Sequence, residues 1–349
     1  SDLKGNPYSL NDVNNILEEI ELIVLDDQFI STSASVEEEI LSNKINLTFK
    51  IQETDKYIVE KINIYGNNIT RENVIRNNLS IDEGDTFNEI LVKKSENNLK
   101  SLDIFKNAIL DVKDGSSEKS KIIEIKIDEK ATGEIMAGAG VGTSGTAIQF
   151  GVAENNYLGR GVKFNANLSL SEDSAEGNIS ITNPNFNNSD KLISFSLQSS
   201  ETDKLETFGY KTNKTGFSVS TKFEYLKDLN FGLGTSSFYE DIETDSTASA
   251  RQKKMDGSYW DTFVQLNLDY DKRNQKYKAS KGFRSYYNLD LPIISDTNTL
   301  TNSYNVKYFT ELYDDNITTA SFFIKSANSI TNEDVKLSER LFVPSRLLR

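Results

Sequence analysis

The sequence predicts α+β modules in the first third of the chain and an antiparallel β-sheet in the remainder. Two observations support this division. Over the first 130 residues, apolar residues at helical spacing alternate with strand-like runs. From about Glu134 onward no segment has a helical pattern, and apolar and polar side chains alternate with period two, as in residues 162–171. Period two indicates strands with one apolar face and one wet face.

Residues 56–131 predict a module with the element order β-α-α-β-β. Its opening strand, residues 57–65, leads through a Gly-Asn turn to a short helix, for which Thr70 is the expected cap. Thr86 and Glu89 form a capping box ahead of the second helix. Two strand-like runs then complete the module.

A truncated copy of this module is predicted at residues 1–55. Ser9 and Asp12 form a capping box ahead of a helical pattern, and a strand-like run follows at residues 45–51. The two copies end alike, in Lys-Ile-Gln-Glu and Lys-Ile-Asp-Glu, about 76 residues apart. We therefore predict an internal repeat, with two unrelated α+β domains as the alternative. Residues 132–349 form the third predicted domain.

The pattern of the C-terminal domain predicts about eleven strands, which are joined by polar connections. Several are about ten residues long, the length that a tilted strand needs to cross a bilayer. Aromatic residues recur near strand ends, as in the girdles at membrane boundaries. A membrane-spanning barrel and a soluble β-protein are both compatible with this pattern. The pattern favours the membrane-spanning barrel. The predicted strands are 134–142, 146–156, 161–171, 175–182, 190–200, 213–226, 229–242, 258–272, 281–293, 302–313 and 317–329.

Composition narrows the function classes. The 349 residues contain no cysteine and no histidine, which excludes disulfides, thiolate metal sites and His-based catalytic arrangements within them. Acidic residues outnumber basic ones 53 to 39, and no basic stripe suits nucleic acid. Acidic pairs such as Glu240-Asp241 are expected in solvated loops, without calcium-binding spacing. We expect no enzyme, cofactor, metal site or nucleic-acid partner.

Glycines at positions 138, 140 and 142 make one predicted strand slim. The stretch from Gly140 to Gly145 matches G-x-G-x-x-G, but a strand pattern follows it where a dinucleotide site requires a helix. A glycine-rich strand packs few side chains and holds its register weakly. We interpret it as a strand that can detach or exchange partners, although close packing against another backbone would give the same pattern.

Several segments, in order, resemble the POTRA-plus-β-barrel superfamily of outer-membrane proteins. Residues 59–67 resemble the opening strand and turn of a POTRA module, and residues 99–105 its second helix and the exit from it. Residues 154–161 are similar to the N-x-L-G-x-G turn after the first barrel hairpin, and residues 182–186 resemble the TNPxF turn. Residues 339–349 resemble the approach to an R-G-F/Y motif on a long loop that folds back into the barrel.

The resemblance implies an incomplete antiparallel transmembrane β-barrel with about eleven of sixteen strands. It implies a central component of the machinery that folds and inserts outer-membrane proteins without catalysis, in the outer membrane of a Gram-negative bacterium. The POTRA modules would lie in the periplasm. The implied partners are nascent outer-membrane β-barrel proteins, the lipoproteins of the assembly machinery and the lipid bilayer. A POTRA sheet edge could hold nascent chains by β-augmentation or serve only as a spacer.

The resemblance also assigns three candidate sites. The first barrel strand would form one side of a lateral gate, whose free edge templates a substrate strand. Arg349 would be the arginine of the loop motif and would brace the loop against the inner barrel wall. An acidic turn between the two POTRA helices is the candidate docking point for a lipoprotein. The gate residues are Glu134, Ile135, Met136, Ala137, Gly138, Ala139, Gly140, Val141 and Gly142, and the turn residues are Asp82, Glu83, Gly84 and Asp85.

Three other functions compete with barrel assembly. A POTRA-barrel polypeptide transporter, of the two-partner secretion or TamA type, shares the same modules and barrel. A porin shares the barrel, but the first 130 residues argue against it. A soluble β-rich adhesin shares only the strand pattern.

Overall fold

The computed structural model describes residue 16 and residues 32–41, 44–53, 55–142, 145–274, 279–296, 298–313, 316–331 and 334–341. The chain divides into two compact units, Ser1–Ala131 and Thr132–Arg349. None of the helices in these described residues is both long and apolar enough to cross a membrane.

A β-hairpin represents the N-terminal copy of the module. Strands β1 (Thr32–Leu41) and β2 (Lys44–Glu53) pair antiparallel, with Leu41 opposite Lys44. The predicted strand at residues 45–51 therefore lies within β2. The helix predicted after Ser9 and Asp12 falls outside the described residues, apart from Ile16, which is helical.

The complete module has the predicted order of elements, given at the end of this paragraph. Its three strands form one sheet in the order β3-β5-β4, with β3 parallel and β4 antiparallel to β5. Apolar residues of the strands and helices meet in one core, where Val59, Ile75, Leu99 and Ile125 are completely buried. The elements are β3 (Ile58–Tyr65), α1 (Glu72–Arg76), α2 (Glu89–Ser101), β4 (Phe105–Asp114) and β5 (Ser120–Glu129).

The predicted capping box of the second helix is wrong. Asn88 caps α2, because its side-chain oxygen accepts hydrogen bonds from the Ile90 and Leu91 amides at 2.8 and 3.3 Å. Thr86 instead forms an antiparallel bridge with Ile58. The residues before the helix are extended because they pair with β3, and the helix begins only after that pairing ends.

The predicted cap of the first helix is also wrong in its mechanism. The N-cap position of α1 is Arg71, which makes no side-chain capping bond. The carboxylate of Glu129, at the end of β5, accepts the amides of Asn68, Ile69 and Thr70 at 2.9, 2.9 and 2.6 Å. An acceptor distant in sequence therefore satisfies the amides ahead of this helix.

The C-terminal unit contains one antiparallel sheet of eleven strands, in which each strand after the first is hydrogen-bonded to the strand before it in the chain. The predicted number and positions of these strands are confirmed. Short helices at Leu205–Phe208 and Ala250–Lys253 lie in connections where no helix was predicted. The strands are β6 (Gly133–Gly142), β7 (Gly145–Tyr157), β8 (Val162–Ser171), β9 (Ser174–Asn183), β10 (Leu192–Lys204), β11 (Tyr210–Leu226), β12 (Leu229–Thr244), β13 (Gly257–Asp271), β14 (Gly282–Ser295), β15 (Thr299–Tyr313) and β16 (Asn316–Ser329).

The strand register gives the sheet two different faces. On one, which we call the apolar face, Ile179 pairs with Leu197 and Leu197 pairs with Phe217. On the other, the polar face, Ser180, Ser196 and Ser218 line up across the same strands. Side chains of the apolar face remain well exposed, with Leu197 at 46%, because none of the described residues covers it. An uncovered apolar surface of this extent requires an apolar medium or a partner.

Candidate functional site

Strand β6 lies at an edge of the sheet. It pairs with β7 from Gly133, opposite Glu154, to Gly142, opposite Gly145. Its other edge has no strand partner among the described residues. The row of backbone N–H and C=O groups on that edge can therefore pair with another strand.

The two faces of β6 differ in side-chain content. Ile135 and Val141 lie on the apolar face and are 87% and 85% exposed. Gly138 and Gly140 lie on the polar face, and a Cβ added at either would meet no atom within 4 Å. Close packing within the described chain therefore does not explain these two glycines. Their effect is to leave the polar face of β6 without side chains at two positions that could contact β7.

Polar contacts fix the beginning of β6. The Thr132 hydroxyl donates to the Glu154 carboxylate, which also accepts the Asn156 amide at 2.7 Å. The Asn156 side-chain oxygen accepts the Gly161 amide, also at 2.7 Å, and so closes the turn at residues 158–161. The beginning of the strand thus has these polar contacts in addition to its backbone pairing with β7.

The acidic turn at residues 82–85 covers the outer edge of β3. The Gly84 amide donates to the Val59 carbonyl at 2.8 Å, and the Val59 amide donates to the Asp85 carbonyl at 2.9 Å. Glu83 accepts the Ile62 amide at 2.9 Å. All four turn residues are exposed, but Glu83 already has a structural role in holding the turn to the strand.

The remaining edge of the POTRA sheet belongs to β4. This strand pairs only with β5, and no described residue pairs with its other edge. Ion pairs attach β4 to β5, among them Lys126 with Asp111 and Lys113 with Glu124, each at 2.7 Å. With the β3 edge covered, β4 offers the free edge of this module.

A buried lysine joins the loop after β16 to the polar face of the sheet. Lys336 has no exposed surface, and its Nζ lies 3.0 Å from Oε2 of Glu240 in β12. The same Nζ forms an ion pair with Asp261 in β13. Both carboxylates are also fully buried. We call Lys336, Glu240 and Asp261 the lysine clamp.

Neighbouring contacts complete the environment of the clamp. The Ser295 hydroxyl and the Asp296 amide donate to Asp261, the amide at 3.2 Å. The Lys336 Nζ lies 5.0 Å from the ring centroid of Tyr259, within cation–π range. Leu337 packs in a small apolar cluster with Ile242 and Met255. The first turn of the loop is therefore held to the sheet by charge and by limited apolar contact.

Sequence reasoning missed this cluster and placed Glu240 in a solvated loop, which is wrong. Glu240 lies within β12, in the predicted strand 229–242, on the face opposite Tyr239. Strand alternation was the available signal, because Tyr239 and Trp260 both lie on the apolar face and their neighbours Glu240 and Asp261 must then point the other way. Arg349, assigned to the same loop by resemblance, falls outside the described residues.

Two family descriptions match the chain. Residues 156–343, more than half of the chain, match the Omp85 superfamily domain. Residues 57–130 match the POTRA family, described as a surface antigen variable number repeat.

Several relatives carry the name outer membrane protein assembly factor BamA. The protein from Buchnera aphidicola is 26% identical over 265 residues, which cover 72% of this chain and 41% of the relative. The protein from Neorickettsia risticii is 26% identical over 218 residues, which cover 60% of this chain and 29% of the relative. The chain therefore spans less than half the length of these relatives.

Solved structures of similar fold include BamA from Haemophilus ducreyi lacking POTRA domains 1–3. Its TM-score is 0.63 at 19% identity, and the match covers 95% of this chain and 67% of that one. CdiB from Acinetobacter baumannii has a TM-score of 0.51 at 12% identity, covering 94% of this chain and 62% of that one. At these identities the likeness concerns the fold alone. Together with the family matches, the POTRA module and the antiparallel sheet that follows it show that the chain belongs to the Omp85 superfamily, with the sheet as part of its β-barrel.

Proposed function

We propose that the chain is part of an outer-membrane factor that folds and inserts other β-barrel proteins. The observation that carries this proposal is the free edge of β6, a strand whose polar-face positions Gly138 and Gly140 hold no neighbour. The two BamA relatives support the same role. The role is non-enzymatic, because it exchanges backbone hydrogen bonds and needs neither bond cleavage nor a cofactor.

In the proposed mechanism, β6 is one side of a lateral gate. An arriving substrate strand pairs with the unpaired backbone groups of β6 by β-augmentation, since these groups otherwise require another strand within a membrane. The contacts of Glu154 hold the base of β6 in place while the glycine-containing part changes partner. The gate residues are those from Glu134 to Gly142.

The apolar face of the sheet supports a location in the bilayer. Side chains such as Leu197 and Phe217 have no protein cover among the described residues and suit contact with lipid tails. We place the protein in the outer membrane of a Gram-negative bacterium, with the POTRA modules in the periplasm.

The POTRA module is proposed to bind two kinds of partner. Nascent chains would add as a strand to the free β4 edge, because the β3 edge is already covered by residues 84–87. Lipoproteins of the assembly machinery would contact the exposed acidic turn. Since Glu83 holds the Ile62 amide, the turn is better tested at Asp82, whose reversal to lysine should reduce lipoprotein co-purification without unfolding the module.

The gate is tested by a disulfide between β6 and the closing strand of the full-length protein. The present chain contains no cysteine, so Ala139→Cys can be paired with one new cysteine in that strand. We expect the oxidised tether to stop barrel assembly in cells and reduction to restore it. A matched control joins Ala139→Cys to Ile148→Cys, which are opposite each other in the β6–β7 pair and should tolerate the bond. Unimpaired assembly with the gate tether closed would contradict the proposal.

A second candidate function is a POTRA-barrel polypeptide transporter, of the two-partner secretion or TamA type. The likeness of the fold to CdiB structures as well as to BamA supports this candidate. Depletion of the protein separates the two: an assembly factor should lower the levels of many outer-membrane barrels, whereas a transporter should lower the secretion of one polypeptide.

A further inference from the structure

We propose that Lys336 is a positioning residue that sets where the loop after β16 lies in the barrel, and that barrel assembly depends on this position. The inference rests on the proposed function for its consequence, but the anchoring itself is a property of the fold. The lysine clamp carries it, because three buried charges from β12, β13 and the loop meet at one point.

The two wall carboxylates depend on the loop for their counter-charge. Glu240 has its Oε2 3.0 Å from the Lys336 Nζ, and neither of its oxygens has a hydrogen-bond partner among the described residues. Asp261 has two further donors, from Ser295 and Asp296, but among the described residues only Lys336 forms an ion pair with it. Without Lys336, the sheet would hold two buried carboxylates that have no other ion-pair partner among the described residues.

A cluster of this kind is expected to fix the register of the loop against the sheet more than it raises the stability of the protein. A buried ion pair gains little net stability, because removing its charges from water offsets much of their attraction. Removing one partner alone is strongly unfavourable, since the other charge stays buried and unpaired. A loop shifted by one residue would place Val335 or Leu337 against the carboxylates. Of these three registers, only the observed one places a cation against the carboxylates.

Apolar contact alone does not define the loop position as sharply. In the part of the loop that the structure describes, Leu337 is the only residue in the apolar cluster with Ile242 and Met255. Arg340 adds a contact of its Nη2 with the Met255 Sδ at 3.6 Å, and Arg251 pairs with Asp334 at an exposed site. Exposed ion pairs contribute little. The clamp is thus the most specific of the described contacts of this loop.

The experiment measures loop position directly in the full-length protein. Spin labels are attached to Ser338→Cys in the loop and Asp190→Cys in the turn after β9, both exposed positions. We expect one narrow distance distribution with Lys336 present and a broad one in Lys336→Met. Trypsin cleavage after the half-buried Arg340 should become roughly tenfold faster or more in that variant, as expected for loss of a buried charge partner.

A charge-free variant separates anchoring from charge burial. Lys336→Met with Glu240→Gln and Asp261→Asn removes every charge of the clamp, and Glu339→Gln is added because the buried Glu339 carboxylate lies 4.0 Å from the Lys336 Nζ. The protein should then fold even if Lys336→Met alone does not. Positioning by Lys336 predicts a broad loop distribution in this variant too. A narrow distribution in either variant overturns the proposal, because packing alone would then position the loop.

Assembly is measured in parallel with purified protein in lipid vesicles. We expect the rate of substrate-barrel insertion to fall severalfold in both variants while their own barrels stay folded. If loop position changes but insertion does not, the link to function is overturned and the anchor stands. If the unaltered protein inserts no barrel, the proposed function fails independently of the loop measurement.

Discussion

The POTRA module and the C-terminal sheet differ in how their apolar side chains are covered. In the module, thirteen residues form one buried core beneath the helices. In the described part of the much longer sheet, the buried cluster contains three residues, Ile242, Met255 and Leu337. The module buries its apolar side chains in its own core, whereas the sheet leaves them on an uncovered face that contacts its surroundings.

This contrast shows that alternation along a strand does not identify the medium on its apolar side. Strand β5 of the module and β10 of the sheet both alternate, but β5 places Ile123 and Ile125 in the core shared with the helices while β10 leaves Phe195 and Leu197 exposed. The difference lies in whether the chain provides helices to cover the apolar side. The following predictions test that contrast, beginning with the largest expected effect.

The first prediction compares truncation of a leucine in each region. Leu99→Ala should lower the free energy of unfolding of the POTRA module by about 2–5 kcal/mol, because a fully buried side chain leaves a cavity. Leu197→Ala should change the stability of the sheet by about 1 kcal/mol or less, as at a site without protein packing. Denaturant unfolding in detergent measures both. Equal losses would show that the apolar face packs on protein.

The second prediction concerns charge on the two faces of one strand. Leu197→Lys should oppose insertion into lipid vesicles by about 2–4 kcal/mol if its position lies near the bilayer midplane. The neighbouring Gln198→Lys points to the polar face and should have little effect. Folding yield in vesicles as a function of denaturant measures the difference. Equal tolerance of both lysines would contradict a lipid-facing apolar side.

The third prediction concerns the pH dependence of the module. Burial would raise the pKa of Glu129, but hydrogen bonds from Thr70 and from the Ile69 and Asn68 amides outweigh it and lower the pKa. A depressed folded-state pKa stabilises the fold above the unfolded value of about 4.3, and this contribution is lost as the pH falls through the folded-state value.

Glu129→Gln should therefore lower the stability of the module by about 1 kcal/mol at pH 7, similar to the loss of a helix cap. The difference from the unaltered protein should shrink in acid. Unfolding curves from pH 7 to pH 3 provide the measurement, with the exposed Glu118→Gln as the matched control. A difference that stays constant with pH would show that the carboxylate charge has no part in the effect.

The fourth prediction compares an edge strand with an interior strand. Gly138→Ala in β6 and Gly177→Ala in β9 both place a Cβ where no atom lies within 4 Å. Each should stabilise its strand by about 0.5–1 kcal/mol through reduced backbone freedom. Only Gly138→Ala should slow barrel assembly, because β9 is paired on both edges. Equal assembly rates in the two variants would argue against exchange at β6.

The sequence predicted the eleven strands well because each is an antiparallel neighbour of the strand before it. Local alternation and polar connections were then sufficient to locate them. The helix caps failed for the opposite reason. Glu129 reaches the amides ahead of α1 from the far end of the module, and Thr86 is drawn into pairing with Ile58. Such partners are set by tertiary structure and leave no local pattern.

The candidate sites divide along the same line. The glycine-rich strand β6 was predictable because its glycines occupy alternate positions of one short segment. The lysine clamp could not be predicted, because Lys336 and Asp261 are 75 residues apart and their contact depends on the position of a loop. Alternation indicated which way Glu240 and Asp261 point, but nothing local indicated which cation they meet.

The covered edge of β3 limits how many chains the POTRA module can hold. With Gly84 and Asp85 bonded to Val59, the beginning of the β3 edge is occupied, and β4 is the edge that is open along its whole length among the described residues. Two modules of this kind cannot stack edge to edge into a continuous fibre, because each offers a single open side. In the proposed mode of binding, the module therefore holds one added strand at a time, and the contacts of its own turn with β3 oppose self-association through that edge.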